Sequence, residues 1–145
     1  SMETDIIALQ EQNKSYIAKI VEDEKTAGEE ELEIISENKS EKLTLKFKNL
    51  VCVKSADNYI EICYLESNIL EKKMLRNTLK SIESQLALHK MLVRCHRTRI
   101  VNVMYVEKLL RDFSGYYLKM NCFEDKIPVS RQFLLQLKEA ISIKK

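Results

Sequence analysis

The segment LTLKFKNLVCVKSADNYIEICY, residues 43–64, determines the fold class of this chain of 145 residues. Apolar side chains recur in it at every second position. They are Leu43, Leu45 and Phe47, and then Ile60, Ile62 and Tyr64. Because successive side chains of a β-strand point to opposite faces, this period of two predicts half-buried strands. The polar cluster Ala56-Asp57-Asn58 between the two runs predicts the turn that joins them.

The same pattern extends outward from this segment in both directions. Leu32 and Ile34 alternate before it, and Asn38-Lys39-Ser40 predicts the intervening turn. After it, further strands are predicted in LVRCH (92–96), RIVNVMYVEKLL (99–110), YYLKM (116–120) and KIPVS (126–130), with a hairpin turn at Phe113-Ser114-Gly115. Apolar residues spaced by three and four predict helices over about 76–88 and 131–143. The chain is therefore predicted to be mostly β with two short helices.

Composition excludes several classes of protein. Gly28 and Gly115 are the only glycines, so neither GxGxxG nor GxxxxGK[ST], the phosphate-binding loops of nucleotide enzymes, is present. The cysteines at 52, 63, 95 and 122 form no CxxC or zinc-type pair, and apolar neighbours predict that Cys52, Cys63 and Cys95 are buried thiols of a reducing cytoplasm. We therefore expect no metal site and no cofactor. No apolar run reaches the 18 or so residues of a membrane span, and a cytoplasmic location is predicted.

Catalysis has little support in the sequence. No nucleophile-elbow motif is present, and His89 and His96 are the only histidines that could act as a base. His89 lies in a polar connection between a helix and a strand, where we expect it to be solvated. The sequence predicts that the chain is not an enzyme.

The charge of the chain is distributed unevenly. Residues 1–30 carry three Lys and eight acidic residues, whereas residues 31–145 carry 21 basic and 14 acidic residues. The first part is predicted to be an amphipathic helix over residues 3–21 followed by an acidic linker. Two interpretations of it stay open, a simple connector and the end of a signalling helix from an upstream module. Residues 31–145 form the predicted globular domain.

The basic residues of that domain form three clusters. They are Lys72, Lys73 and Arg76, then Arg94, Arg97 and Arg99, and finally Arg131. Clustered Arg favours nucleic-acid binding, because the planar guanidinium fork matches a phosphate or the O6/N7 edge of guanine. Arg97 and Arg99 share a face only if their segment is extended, and a loop beginning near His96 would separate them.

Four blocks, SADNYIEI (55–62), KKMLRNTLKSIESQL (72–86), VRCHRTRIVNVMYVEKL (93–109) and IPVSRQF (127–133), resemble in order and spacing the LytTR-type DNA-binding domain of bacterial transcriptional regulators. The resemblance covers residues 31–145. It implies an elongated, mostly β domain of about ten short strands in three sheets, with one or two short helices. It also implies loops that enter successive major grooves of double-stranded DNA, with the domain acting as a homodimer or as paired copies on a repeated site.

Relatives with this domain are attached to phospho-receiver domains, as in two-component response regulators, or to membrane segments. The 30 residues that precede the domain are too few for a receiver of roughly 100 residues. We therefore expect any signalling or membrane module that controls it to lie elsewhere.

The resemblance also implies which residues contact DNA. They are Lys54, Asn58, Tyr59, Arg94, Arg97, Arg99, Ser130 and Arg131. Arg97 takes the position that contacts bases, Arg131 takes the matching position of the last block, and Arg94 contacts the backbone or supports the loop. Asn58 is either a base contact or a left-handed turn residue. His96 and Asn102 are expected to hold the loop through internal hydrogen bonds. Arg99 stands where relatives often have an aromatic residue.

The function predicted from these residues is sequence-specific binding of double-stranded DNA. Two alternatives stay open. The basic surface could instead meet an acidic protein partner, or the chain could bind structured RNA. Against RNA, the sequence has no RNP-type aromatic pair, and Tyr116 and Tyr117 are expected to alternate between the two faces of one strand.

Overall fold

A computed structural model describes residues 28–144 of the chain. The predicted helix over residues 3–21 lies outside this range. The strands are β1 (Glu31–Ile35), β2 (Lys42–Lys46), β3 (Leu50–Ala56), β4 (Tyr59–Glu66), β5 (Ile69–Arg76), β6 (Leu92–His96), β7 (Arg99–Asn102), β8 (Val106–Asp112), β9 (Gly115–Met120) and β10 (Ile127–Val129). The helices are α1 (Leu79–Gln85) and α2 (Leu134–Lys144), and single-turn 3-10 helices cover Phe47–Asn49, Val103–Tyr105 and Arg131–Phe133.

The strands form three antiparallel sheets. One contains β1 and β2, a second has the order β5-β4-β3-β7-β6, and a third has the order β10-β9-β8. The five-stranded sheet is central, because apolar residues are buried on both of its faces. The predicted architecture, about ten short strands in three sheets with short helices, is confirmed.

Each face of the central sheet has its own hydrophobic core. On one face, Ile60 and Ile62 pack with residues of β1, β2 and α1, such as Ile34 and Ile82. On the other face, the core continues into the three-stranded sheet and α2. Because both faces of the sheet are covered, side chains on both sides of β3 are buried. This explains why the strand begins with the continuous apolar run LVCV (50–53).

Three predicted elements have different boundaries in the structure. The predicted strand 99–110 is interrupted by the 3-10 helix Val103–Tyr105, which passes the chain from the central sheet to the three-stranded sheet. The helix predicted over 76–88 covers only Leu79–Gln85, because residues up to Arg76 belong to β5, a strand that the sequence analysis did not identify. Lys72 and Lys73 are adjacent polar residues in this strand, so its sequence does not show a regular alternation of apolar and polar residues. The helix predicted over 131–143 begins as a 3-10 turn and becomes α-helical at Leu134.

The expectation that His89 is solvated is wrong. Its side chain is only 12% exposed, and its Nδ1 lies 3.9 Å from a carboxylate oxygen of Glu30. Its ring stacks on Phe47 with 5.3 Å between centroids. The connection after α1 folds back onto the 3-10 helix at Phe47, and sequence polarity did not reveal this packing. The buried positions predicted for Cys52, Cys63 and Cys95 are confirmed.

Within residues 28–144, no helix has the length and apolar character needed to cross a membrane.

Candidate nucleic-acid interface

Three loops that are far apart in sequence lie at one end of the domain. They are the β3–β4 turn at Asp57–Asn58, the β6–β7 turn at Arg97–Thr98, and the segment Ser130–Arg131 after β10. The amide of Ser55 donates to the carbonyl of Thr98 at 3.0 Å, which joins the first loop to the second. The amide of Ser130 donates to the carbonyl of Cys95 at 2.9 Å, which joins the third. The backbone therefore brings together all three segments predicted to contact DNA.

The β6–β7 turn is held by Arg94. Its Nε donates to the carbonyl of His96 at 2.9 Å, and its Nη2 donates to the carbonyl of Arg97 at 2.7 Å. Its Nη1 lies 3.2 Å from a carboxylate oxygen of Glu83 in α1. The guanidinium is thus committed to the turn and to the helix behind it. Of the two roles considered for Arg94, this geometry corresponds to support of the loop.

His96 adds a second set of internal contacts to the same turn. Its Nδ1 accepts from the amide of Thr98 at 3.2 Å and lies 2.7 Å from the Thr98 hydroxyl. Because Nδ1 accepts, the ring hydrogen is on Nε2. Burial, and then the charges of Arg99, Arg97 and Arg94, hold the pKa of His96 below its usual value. The imidazole is therefore neutral at physiological pH and can accept these hydrogen bonds.

Arg97 and Arg99 point to different surroundings. Arg97 is exposed in the turn, and within residues 28–144 its guanidinium forms no salt bridge or side-chain hydrogen bond. Arg99 begins β7, and its Nη1 lies 3.0 Å from the Thr98 hydroxyl and 3.3 Å from the Thr98 carbonyl. It is paired across the sheet with Lys54 of β3. The turn at Arg97–Thr98 thus separates the two arginines, which is the second of the two geometries considered from the sequence.

The β3–β4 turn presents Asn58 and Tyr59 to solvent. Asp57, not Asn58, has the left-handed backbone, with φ of 57°, so the turn-residue interpretation does not apply to Asn58. The Tyr59 ring lies 5.9 Å from the guanidinium carbon of Arg76. Arg76 was not predicted as a site residue. It reaches this end because β5 pairs with β4, which places Arg76 opposite Tyr59. No local pattern in the sequence indicates this pairing.

The third loop and Asn102 also differ in detail from expectation. Ser130 precedes the 3-10 helix Arg131–Phe133, but its side chain makes no capping hydrogen bond. Arg131 is exposed. Asn102 is fully buried, and its Nδ2 donates to the carbonyls of Leu50 at 2.8 Å and Phe47 at 3.3 Å. These contacts lie at the opposite end of β7, so Asn102 supports the sheet and does not hold the Arg97 turn.

The charges at the two ends of the central sheet are balanced differently. Lys46 and Lys48, at the far end, both form salt bridges with Glu29, and hydrogen bonds from these lysines lower the Glu29 pKa to about 2. At the loop end, four cationic side chains form no salt bridge with any residue of the described range. They are Lys54, Arg97, Arg99 and Arg131. Cations without internal partners are suited to neutralise phosphates.

Comparisons with known proteins are consistent with this geometry. Residues 40–142 match the family model of the LytTr DNA-binding domain. A solved structure of a LytTr DNA-binding domain from Bacillus cereus superimposes with a TM-score of 0.59. Its sequence is 18% identical, and the match covers 76% of this chain and 96% of that one. At this level of identity the similarity shows a shared fold. No curated protein matches the chain.

Proposed function

Because the chain belongs to the LytTr DNA-binding domain family, whose model matches residues 40–142, we propose that it is a sequence-specific reader of double-stranded DNA in a bacterial transcriptional regulator. The observation that carries the proposal is the convergence of three loops at one end, joined by the hydrogen bonds Ser55–Thr98 and Ser130–Cys95. Each loop presents an exposed polar or cationic side chain.

Arg97 is the principal base-reading residue in this proposal. Its backbone is fixed by Arg94, while its own guanidinium is exposed and has no partner within the described chain. Because the backbone of the turn is already ordered and the guanidinium has no partner, Arg97 is suited to donate two hydrogen bonds to O6 and N7 of guanine in the major groove. Arg131 supplies a second reading position, and Asn58 can pair with adenine N6 and N7 from the first loop.

Phosphate contacts supply most of the affinity and set the register on the duplex. Lys54 and Arg99, paired across β3 and β7, flank the reading turns. Arg76, beside Tyr59, lies at the edge of this surface, although its Nε is 3.8 Å from a carboxylate oxygen of Glu37 and its charge is thereby partly balanced. Ser130, whose hydroxyl does not cap the following turn, can donate to a phosphate oxygen. Two copies of the domain then occupy a repeated site.

Selection of bound duplexes from a random pool tests this proposal. The wild-type chain is expected to enrich a motif, and Arg97→Ala is expected to lose preference at one base pair and about 1–3 kcal/mol of binding free energy on the selected site. Lys90→Ala removes an exposed cation from the connection before β6, at the end away from the loops, and serves as a control that keeps the motif.

The possible outcomes separate the alternatives. A motif repeated at one helical turn, about 10 base pairs, supports paired copies. Enrichment from an RNA pool in place of the duplex pool, or binding to acidic proteins without any duplex enrichment, contradicts the proposal. An unchanged motif for Arg97→Ala contradicts the assignment of Arg97 to base reading.

A further inference from the structure

Phe113 is fully exposed at the tip of the β8–β9 hairpin, with 104% relative exposure. It is the first residue of a two-residue turn, because Asp112 pairs with Gly115 across the hairpin. The phenyl ring therefore contributes nothing to either hydrophobic core. No role in folding accounts for an aromatic residue at this position.

The turn that carries Phe113 is held in one conformation. The Asp112 carboxylate accepts from the Ser114 amide at 2.9 Å and from the Ser114 hydroxyl at 2.6 Å. Its other oxygen lies 3.4 Å from Nζ of Lys126. These bonds lower the pKa of Asp112, so the carboxylate stays charged and in place at neutral pH. An apolar ring on a fixed turn binds with little loss of conformational entropy.

The hairpin tip lies at the same end of the domain as the DNA-reading loops. Tyr116 of β9 pairs with Val129 of β10, directly before Ser130 and Arg131. Phe113 precedes Tyr116 by three residues, which places the tip about 10 Å beyond this pair along the strand. The Ser130–Cys95 hydrogen bond then connects this edge to the Arg97 turn.

We propose that Phe113 is an additional DNA contact, whose ring enters the minor groove beside the major groove read by Arg97 and Arg131. This inference rests on the function proposed above and extends the DNA surface to a fourth loop. In duplex DNA the minor groove lies half a helical turn, roughly 17 Å, from the centre of a neighbouring major groove, so a loop that flanks the reading loops can face it. Apolar side chains are used in this way to open a base step from the minor-groove side.

The cations around the tip favour DNA over an apolar protein partner. The guanidinium of Arg111 lies 5.1 Å from the Tyr116 ring, and Nζ of Lys126 lies 4.5 Å from the Tyr117 ring. Both side chains are exposed; Arg111 lies on β8, and Lys126 directly precedes β10. Lys126 is paired with Asp112, whereas Arg111 forms no salt bridge within residues 28–144, and a single apolar ring beside this free cation fits a groove lined by phosphates. A hydrophobic protein interface would instead need a continuous apolar patch.

The test compares Phe113→Ala with Leu88→Ala. Leu88 is 94% exposed in the connection before β6, at the opposite end from the Arg97 turn, and is a matched control for loss of an exposed apolar side chain. Binding is measured on the selected duplex, with 2-aminopurine placed in its flanking minor-groove steps. Phe113→Ala is expected to weaken binding about tenfold and to remove the fluorescence change that follows opening of a step. Leu88→Ala is expected to leave both unchanged.

Three results would overturn the inference, and each is distinct from failure of the proposed function. If Phe113→Ala binds as tightly as wild type while both enrich the same motif, the DNA-binding function stands and the Phe113 contact is wrong. If the variant binds a single half-site normally and loses only the second copy, Phe113 contacts the neighbouring protein. If Leu88→Ala weakens binding equally, the effect is not local to the hairpin. Thermal melting of both variants checks that the fold is retained.

Discussion

Arg94 and Arg97 are separated by only three positions, yet their surroundings assign them different roles. The Arg94 side chain is mostly buried, with 18% of its surface exposed. Its guanidinium donates hydrogen bonds to the carbonyls of His96 and Arg97 and forms a salt bridge with Glu83. Arg97 is exposed at the tip of the turn that Arg94 holds. The residue that organises the loop is therefore distinct from the residue proposed to read DNA.

Replacing Arg94 by Ala is expected to reduce both stability and DNA affinity without changing the preferred sequence. Loss of the charged hydrogen bonds should lower the free energy of unfolding by about 1–3 kcal/mol, measured by urea denaturation. Arg94→Lys keeps the charge but lacks the planar fork, so it should restore little of the loss. A changed base preference with unchanged stability would show that Arg94 contacts bases itself.

His96 is expected to make stability depend on pH just below neutrality. Its pKa is lower in the folded chain than in the unfolded chain, where it is about 6.5. The unfolded state therefore binds the proton first, and the free energy of unfolding decreases as pH falls from about 6.5 towards the folded pKa. His96→Gln should flatten this part of the stability profile, measured by denaturation at each pH.

The carboxylates provide an internal reference for that experiment. Glu29 and Asp112 have pKa values lowered below the usual 4.5 and 3.8, so their contribution is lost only at more acidic pH. The His96 effect is thereby separated in pH from theirs. A wild-type profile that is flat between pH 6.5 and 5 would contradict the lowered His96 pKa.

Strand β7 connects two regions with different surroundings, because its ends face opposite ends of the domain. Arg99 begins the strand next to the reading turn, whereas Asn102 ends it inside the core. The Asn102 side chain donates to the carbonyls of Leu50 and Phe47 and accepts from the amide of Met104. It thus satisfies buried backbone groups where β3 begins and where the chain leaves the central sheet.

Asn102→Ala is expected to lower the free energy of unfolding by about 1–3 kcal/mol, because it leaves buried carbonyls without a donor. The DNA affinity of the folded fraction should be unchanged, since the contacts lie away from the loops. Asn121→Ala, at an exposed asparagine, is the matched control and should be close to wild type in denaturation. Equal stability of the two variants would contradict the role given to Asn102.

At the scale of the whole molecule, the charge balance differs between the two ends of the central sheet. Lys46 and Lys48, at the far end, are paired with Glu29, whereas four cations of the loop end form no salt bridge within residues 28–144, namely Lys54, Arg97, Arg99 and Arg131. Binding of DNA should therefore release counterions mainly through the loop end. The dependence of affinity on salt measures how many phosphates are neutralised there.

Lys54→Ala is expected to reduce the slope of log affinity against log salt by about 0.9, because one phosphate contact is lost. The preferred sequence should stay the same, since a phosphate contact carries no base information. Lys46→Ala removes an equal charge at the far end and should leave the slope unchanged. Equal slopes for the two variants would indicate that Lys54 does not reach the DNA backbone.

The sequence by itself determined the mostly β class, the buried cysteines, and the family. Period-two alternation depends only on local geometry, and the four ordered blocks carried the resemblance. Burial of His89, the strand β5 and the break in the 99–110 segment depended on contacts between distant residues. A local pattern contains no information about such contacts.

Only the tertiary structure showed that the Arg94 side chain is bound within the protein and that the Arg97 side chain is exposed to solvent. From the sequence, Arg94 had two possible roles, and Arg97 and Arg99 had two possible relative orientations. In the structure, Arg94 bonds to the backbone of the β6–β7 turn. The turn at Arg97–Thr98 places Arg97 and Arg99 in different surroundings. That the hairpin tip at Phe113 and the segment after β10 lie at the same end of the three-stranded sheet follows from the pairing of β9 with both β8 and β10. Strand pairing joins residues far apart in the chain, which is why the complete surface exists only in the folded protein.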